Sequence, residues 1–165
     1  MGMSGFFAPV SAARLAMLQR DPESIDEFLN PDDGDGEADG SIDVDKAWQG
    51  LHYLLTGTAD QGEGAKSLAI FGGEEFGPEI GLGPARFLTP AQVREVAAAL
   101  ASFSEAELRK NFNPQDMQAQ EVYPDSIWVR DGEDALNYLL ENFWPLAQFY
   151  AEAAERGDAV LQWLG

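Results

Sequence analysis

Cysteine is absent from the 165 residues. That excludes disulfides, thiolate metal centres and a cysteine nucleophile, while leaving the compartment open. Histidine occurs once, as His52, so two-histidine metal sites are excluded, the His-Glu-x-x-His protease helix among them. Cations are scarce. Ten Lys and Arg face 29 Asp and Glu, for a formal net charge of −19. Such a chain repels nucleic-acid phosphates and anionic membrane surfaces, whose affinity depends on Lys and Arg. A basic protein partner, a cation or simple solubility are the uses that fit this charge. No apolar run approaches the roughly 18 residues of a bilayer span. Residues 1–21 lack a basic segment ahead of the apolar ones and are interrupted by Pro9 and Arg14, so they do not read as a signal peptide. The expected location is cytoplasmic.

Several catalytic and cofactor motifs are missing too. No Gly-x-Ser-x-Gly elbow occurs. No glycine-rich run ends in the Gly-Lys-Ser/Thr of a phosphate loop. The run Gly81-Leu82-Gly83 leads into Pro84, Ala85 and Arg86, so a dinucleotide fingerprint fails at its third glycine. No cofactor is implied.

What is present suits one folded domain over 1–165, with 45% apolar and 11% aromatic residues to build a core. Residues 4–8 read as a strand, and Ser11 caps a helix reaching Arg20. Asp21-Pro22 opens a short helix carrying Ile25, Phe28 and Leu29, ending near Asn30. A loop rich in acids and glycine, 30–41, precedes the clearest amphipathic helix, 43–57, with Val44, Ala47, Trp48, Leu51, Leu54 and Leu55 on one stripe and Gly57 as its stop. Residues 67–71 read as a buried strand and 72–84 as a glycine-rich turn, with 85–88 a second strand. Thr89 and Gln92 form a capping box for a helix to about Ala101, and Ser104 with Glu107 a second box. Asn113-Pro114 starts a further short turn of helix, and 121–129 is irregular because of Pro124. Residues 131–156 form the longest helix, with a kink or a junction of two helices expected at Pro145. Residues 159–164 close the chain as a strand. The fold class is α+β, a small, mostly antiparallel sheet covered by helices.

Candidate chemistry gathers on the helix at 43–57. His52 lies one turn after Trp48 and seven residues after Asp45, so the three side chains can share a flank. A carboxylate beside an imidazole raises its pKa, as a general base requires. Glu74 and Glu75 could supply a further carboxylate, though adjacent residues of a strand point opposite ways. Trp48, His52, Arg86 and Tyr123 are the candidate ligand contacts. Tyr123, Trp128, Trp144 and Trp163 equally suit core or rim packing. Asp35, Glu37, Asp39 and Asp43 follow the spacing of a calcium loop through its ninth position. Lys46 then stands where the bidentate Glu belongs, so no metal site is assigned.

The stretches MGMSGFF, DVDKAW with LHYLLTG, GGEEFG to GPARFLTP, ELRKNF, EVYPDSIW and RGDAVLQWLG, in this order along the whole chain, resemble the YfbM-like family, a bacterial domain of unknown function. The resemblance implies a single α+β domain of the cytosolic type and carries over no reaction and no catalytic residues. Residues 31–40 depart from the family pattern, which makes the calcium-like loop an insertion. Two functions fit. One is a non-catalytic regulatory or toxin-neutralising protein that engages a basic protein partner. The alternative is a small hydrolase with His52 as base and Asp45, Glu74 or Glu75 as partner. Monomer and dimer are both compatible with the sequence.

Overall fold

A computed structural model describes residues 2–29 and 40–165. Strand β1 (Gly5–Val10) leads into helices α1 (Ala12–Arg20) and α2 (Ile25–Leu29), the latter entered through a 3-10 turn at Pro22–Ser24. Strand β2 (Ile42–Asp43) and a 3-10 turn at Asp45–Ala47 precede α3 (Trp48–Thr56). A further 3-10 turn and α4 (Leu68–Phe71) are followed by the hairpin β3 (Glu74–Gly81) and β4 (Gly83–Leu88). Helices α5 (Pro90–Ala101), α6 (Glu105–Asn111), α7 (Pro114–Ala119), α8 (Trp128–Asp131) and α9 (Glu133–Arg156) then lead to β5 (Ala159–Leu164).

The five strands form one antiparallel sheet in the order β2-β1-β5-β4-β3. Alternation along the strands divides the core between two faces. Ala8 and Val10 of β1, Ala85 and Phe87 of β4, and Ala159 and Leu161 of β5 pack against Leu15, Leu18, Ile25 and Leu29 of α1 and α2. Phe7, Leu88 and Val160 face the other way, into the larger core built by α3 to α9. Pro9 is tolerated in β1 because β2 pairs only with Phe6 and Phe7. Beyond them, among the described residues, β1 is a sheet edge, where a missing N–H breaks no ladder.

Local signals place four helix starts. Ser11 accepts from the Arg14 N–H at 3.1 Å, and Asn113 from that of Asp116 at 3.1 Å. Thr89 and Gln92 close both halves of their capping box. Ser104 accepts the Glu107 N–H at 3.1 Å, but the Glu107 carboxylate meets the Ser104 hydroxyl rather than its backbone, so only half of that box forms. Gly57 stops α3 in the left-handed conformation at φ 78°.

Four expectations need correction. The helix expected from residue 43 begins at Trp48, because Asp43 pairs with Phe6 in β2 and its carboxylate accepts the Asp45 N–H at 3.0 Å. Residues 67–71 form a 3-10 turn and α4, not a strand. A short apolar run does not distinguish the two, and here the Leu68 and Ala69 carbonyls are taken by side chains. The stretch expected as a glycine-rich turn contains β3, the edge strand, whose register shifts around Pro78 accommodate a proline and glycines. Helix α9 is continuous through Pro145, so the junction of two helices, one of the two alternatives expected there, does not occur. Both Pro145 and Glu141, whose carbonyl loses its donor, are exposed, so water can serve that carbonyl. The calcium-like residues Asp35, Glu37 and Asp39 lie outside the described residues. Among the described residues, no helix is long and apolar enough to cross a membrane.

Gly50 in α3 gives a sharp packing test. A Cβ there would lie 2.6 Å from the Leu139 Cδ2 and 2.7 Å from the Trp128 ring. Trp128 cannot retreat easily, since it is fully buried and its indole N–H donates to the Val122 carbonyl at 2.7 Å. Gly→Ala in a helix is worth up to about 1 kcal/mol of stability, while overpacking costs about 1–3 kcal/mol. Gly50→Ala should therefore destabilise by about 1 kcal/mol in urea unfolding. A more stable variant would show that the α3–α9 contact yields.

Candidate functional site

Asp45, Trp48 and His52 do not form one flank. Asp45 sits in the turn before α3 at φ 49°, and the Tyr138 hydroxyl of α9 donates to its carboxylate at 2.7 Å. That bond, chiefly, holds the Asp45 carboxyl below its ordinary range. The Tyr138 phenol is pushed up, first by burial and then by Asp45. Asp45 is thus committed to α9 and not to the imidazole.

His52 is 1% exposed. Its Nε2 lies 2.6 Å from the Gln61 carbonyl, which can only accept, so Nε2 carries the proton. Nδ1 is a buried acceptor without a partner among the described residues. The ring edge packs on Phe71 at 4.8 Å between centroids. Burial lowers the pKa, opposed by the Gln61 carbonyl and by the charge of Asp60. The carboxylate near the imidazole is therefore that of Asp60, which sequence spacing did not single out. Glu74 and Glu75 are exposed on β3, and Glu75 faces Arg86 with 3.6 Å between Oε1 and the guanidinium. His52 is closed off from substrate, so the geometry does not make it a general base.

Two of the candidate ligand contacts do converge. Trp48 and Arg86 line one cleft with Gly5, Phe7, Ile70 and Gln162, and Leu82 and Pro84 belong to the same wall. Its volume is about 30 Å³, too small for a drug-sized ligand. Tyr123 lies behind Trp48, stacked on it at 5.4 Å, and its hydroxyl accepts the Met3 N–H at 2.9 Å. Trp48 donates its own indole N–H to the Met3 carbonyl at 2.9 Å and meets Phe71 edge-on. Tyr123 and His52 therefore support Trp48 and Phe71 and do not line the cleft.

Gln162 is the residue that sequence reasoning missed. It stands opposite Arg86 in the β4–β5 pairing and is 3% exposed. Its Nε2 donates to the carbonyls of Leu68 (2.9 Å) and Ala69 (3.0 Å) and lies 2.8 Å from the Tyr150 hydroxyl. That hydroxyl donates to Ala69 at 2.7 Å. Swapping the amide ends would set an acceptor against two carbonyls, so the orientation is determined. Oε1 is then a buried acceptor with no partner among the described residues. Leaving such a group unsatisfied costs about 1–3 kcal/mol. A glutamine inside the apolar strand AVLQWL was the available signal.

With the geometry in place, comparison with known proteins gives the relationship. The family described as "Domain of unknown function (DUF1877)" matches residues 1–163. The chain belongs to this family. This DUF1877 protein is 33% identical over 144 residues to protein YfbM of Escherichia coli (strain K12), covering 82% of this chain and 81% of that relative. A solved structure, described as the crystal structure of a protein of unknown function, YfbM from Escherichia coli, superposes with a TM-score of 0.72. It covers 96% of this chain and 98% of that one at 21% identity, and shares the fold. None of these descriptions names a reaction, a ligand or a partner.

Burial of the single imidazole sets a pH dependence. Its folded pKa lies below the ordinary 6.5, so the unfolded DUF1877 chain takes up that proton first as the pH falls. The associated stability is complete above about pH 6.5 and is lost below it. NMR titration should place the His52 pKa under 6.5, and His52→Gln should flatten the stability slope just below that pH. An imidazole titrating at or above 6.5 would contradict the buried neutral state.

Proposed function

We propose that this protein is a non-catalytic binding protein, regulatory or toxin-neutralising in role, which engages a basic protein partner. The observation that carries the reading is the outer face of α9. Glu141, Trp144, Gln148, Glu152 and Glu155 recur at three- and four-residue intervals and are all exposed. Trp144 leaves 42% of its surface open, one of few large apolar side chains to do so among the described residues. Tryptophan in an exposed patch is a common anchor of protein interfaces. Acids around it favour a cationic partner by steering encounter and repelling acidic competitors.

The overall charge of −19 supports the same reading. With 29 acids and 10 basic residues, most carboxylates cannot be neutralised within the chain. The hydrolase alternative has no comparable support, because His52 is closed off. A cytoplasmic location fits a chain with this charge and no cysteine, and is part of the proposal.

The test is retention of a basic protein by the immobilised domain at about 0.01 M ionic strength and its release at about 1 M, where the screening length falls from ~30 Å to ~3 Å. Trp144→Ala should weaken retention by an order of magnitude or more, and joint Glu141→Lys, Glu152→Lys and Glu155→Lys should abolish it with the fold intact by circular dichroism. Retention of no basic protein at low salt, or retention indifferent to these substitutions, overturns the proposal.

A further inference from the structure

We infer that Trp144 and Glu141 together receive one arginine side chain of the basic partner, its guanidinium laid on the indole and bonded to the carboxylate. This rests on the binding role proposed for the outer face of α9 and names the group that the face recognises. The two residues stand three positions apart on one helix, so their side chains are surface neighbours with about 5–6 Å between Cβ atoms. The indole offers a π-face, and the carboxylate a full negative charge beside it. A flat cation with several N–H donors answers both.

Neither residue is used up by the fold. Glu141 makes no ion pair and no hydrogen bond among the described residues, whereas Glu152 on the same face accepts from the Gln148 amide at 3.1 Å. Helix α9 supplies Glu141 with no cation of its own, since Asn137, Tyr138 and Pro145, the other positions one turn away, are neutral. Its single basic residue, Arg156, stands at the far end and donates to Asp158 at 2.8 Å. Trp144 meets Phe143 nearly at right angles, with 4.9 Å between centroids, and leaves 42% of its surface open. Trp48 and Trp128 both commit their indole N–H to a main-chain carbonyl, while that of Trp144 has no partner among the described residues. An unpaired acid beside an open indole is thus left for a group from outside.

Arginine fits this pair better than lysine. A guanidinium is planar and weakly hydrated, so it can stack on an indole while its edge donates to a carboxylate. An ammonium is compact and strongly hydrated, and contact with the ring competes with its own water. The bond to the carboxylate is charge-assisted, and arginine can make it bidentate. Glu152 and Glu155, further along the exposed face, then attract flanking cations of the partner. They add steering without choosing between lysine and arginine.

The experiment is an NMR titration of the full chain at low ionic strength, following the Trp144 indole N–H resonance. The probes are two capped peptides of equal charge, Lys-Ala-Lys-Arg-Lys-Ala-Lys and its counterpart with lysine at the centre. The arginine peptide should bind at least about threefold more tightly. Trp144→Leu, which keeps an apolar side chain, should remove that preference and leave both peptides held by charge. Glu141→Gln should reduce the preference, Trp144→Tyr should retain part of it, and thermal melts of the variants check folding. Equal affinity for the two peptides, or a preference that survives Trp144→Leu, would overturn the arginine receptor and leave the charge-based reading of α9 standing. Binding of neither peptide would overturn it as well, and retention of a basic protein by the immobilised domain then decides the broader reading on its own.

Discussion

The arrangement of sheet and helices depends on one buried polar knot. The Tyr150 hydroxyl of α9, the Gln162 amide of β5 and the carbonyls of Leu68 and Ala69 in α4 are joined by contacts of 2.7 to 3.0 Å. Helix α4 is only four residues long, so its carbonyls have few partners of their own. Burying them against the sheet is tolerable only because Tyr150 and Gln162 supply donors. The knot thereby fixes three elements distant in sequence in one place. Burial pushes the Tyr150 phenol well above its ordinary range, so it remains a neutral donor. Satisfying the carbonyls uses the Gln162 nitrogen and leaves its oxygen buried with no partner among the described residues.

Trp48 occupies a similar position for α3. Its ring is packed on Tyr123 and Phe71, while its N–H ties down Met3 near the N-terminus. Trp48 also lines the cleft beside β1. The helix that concentrates aromatic residues and the single histidine is thus chiefly a packing element. The buried imidazole belongs to that packing. It bonds the 58–61 loop through Gln61 and presents an edge to Phe71.

How much of this was readable beforehand follows physical lines. Elements governed by neighbouring residues were legible: the Ser11 and Thr89 caps, the Gly57 stop and the closing strand through Leu164 all stand where local chemistry puts them. Elements governed by distant partners were not. The run SLAIF carries no local mark of helix or strand, and its state is decided by Tyr150 and Gln162. Asp43 looks like a helix cap, but its pairing with Phe6 comes from 37 positions away. The candidate site divides in the same way. Trp48 and Arg86 drew notice by residue type, and both line the cleft. Gln162, which lines the same cleft, is recognisable only as a polar residue in an apolar strand, and nothing local states which of its ends is left over. Asp45 and His52 are near in sequence, but α3 begins after Asp45, and the turn sends the carboxylate toward Tyr138.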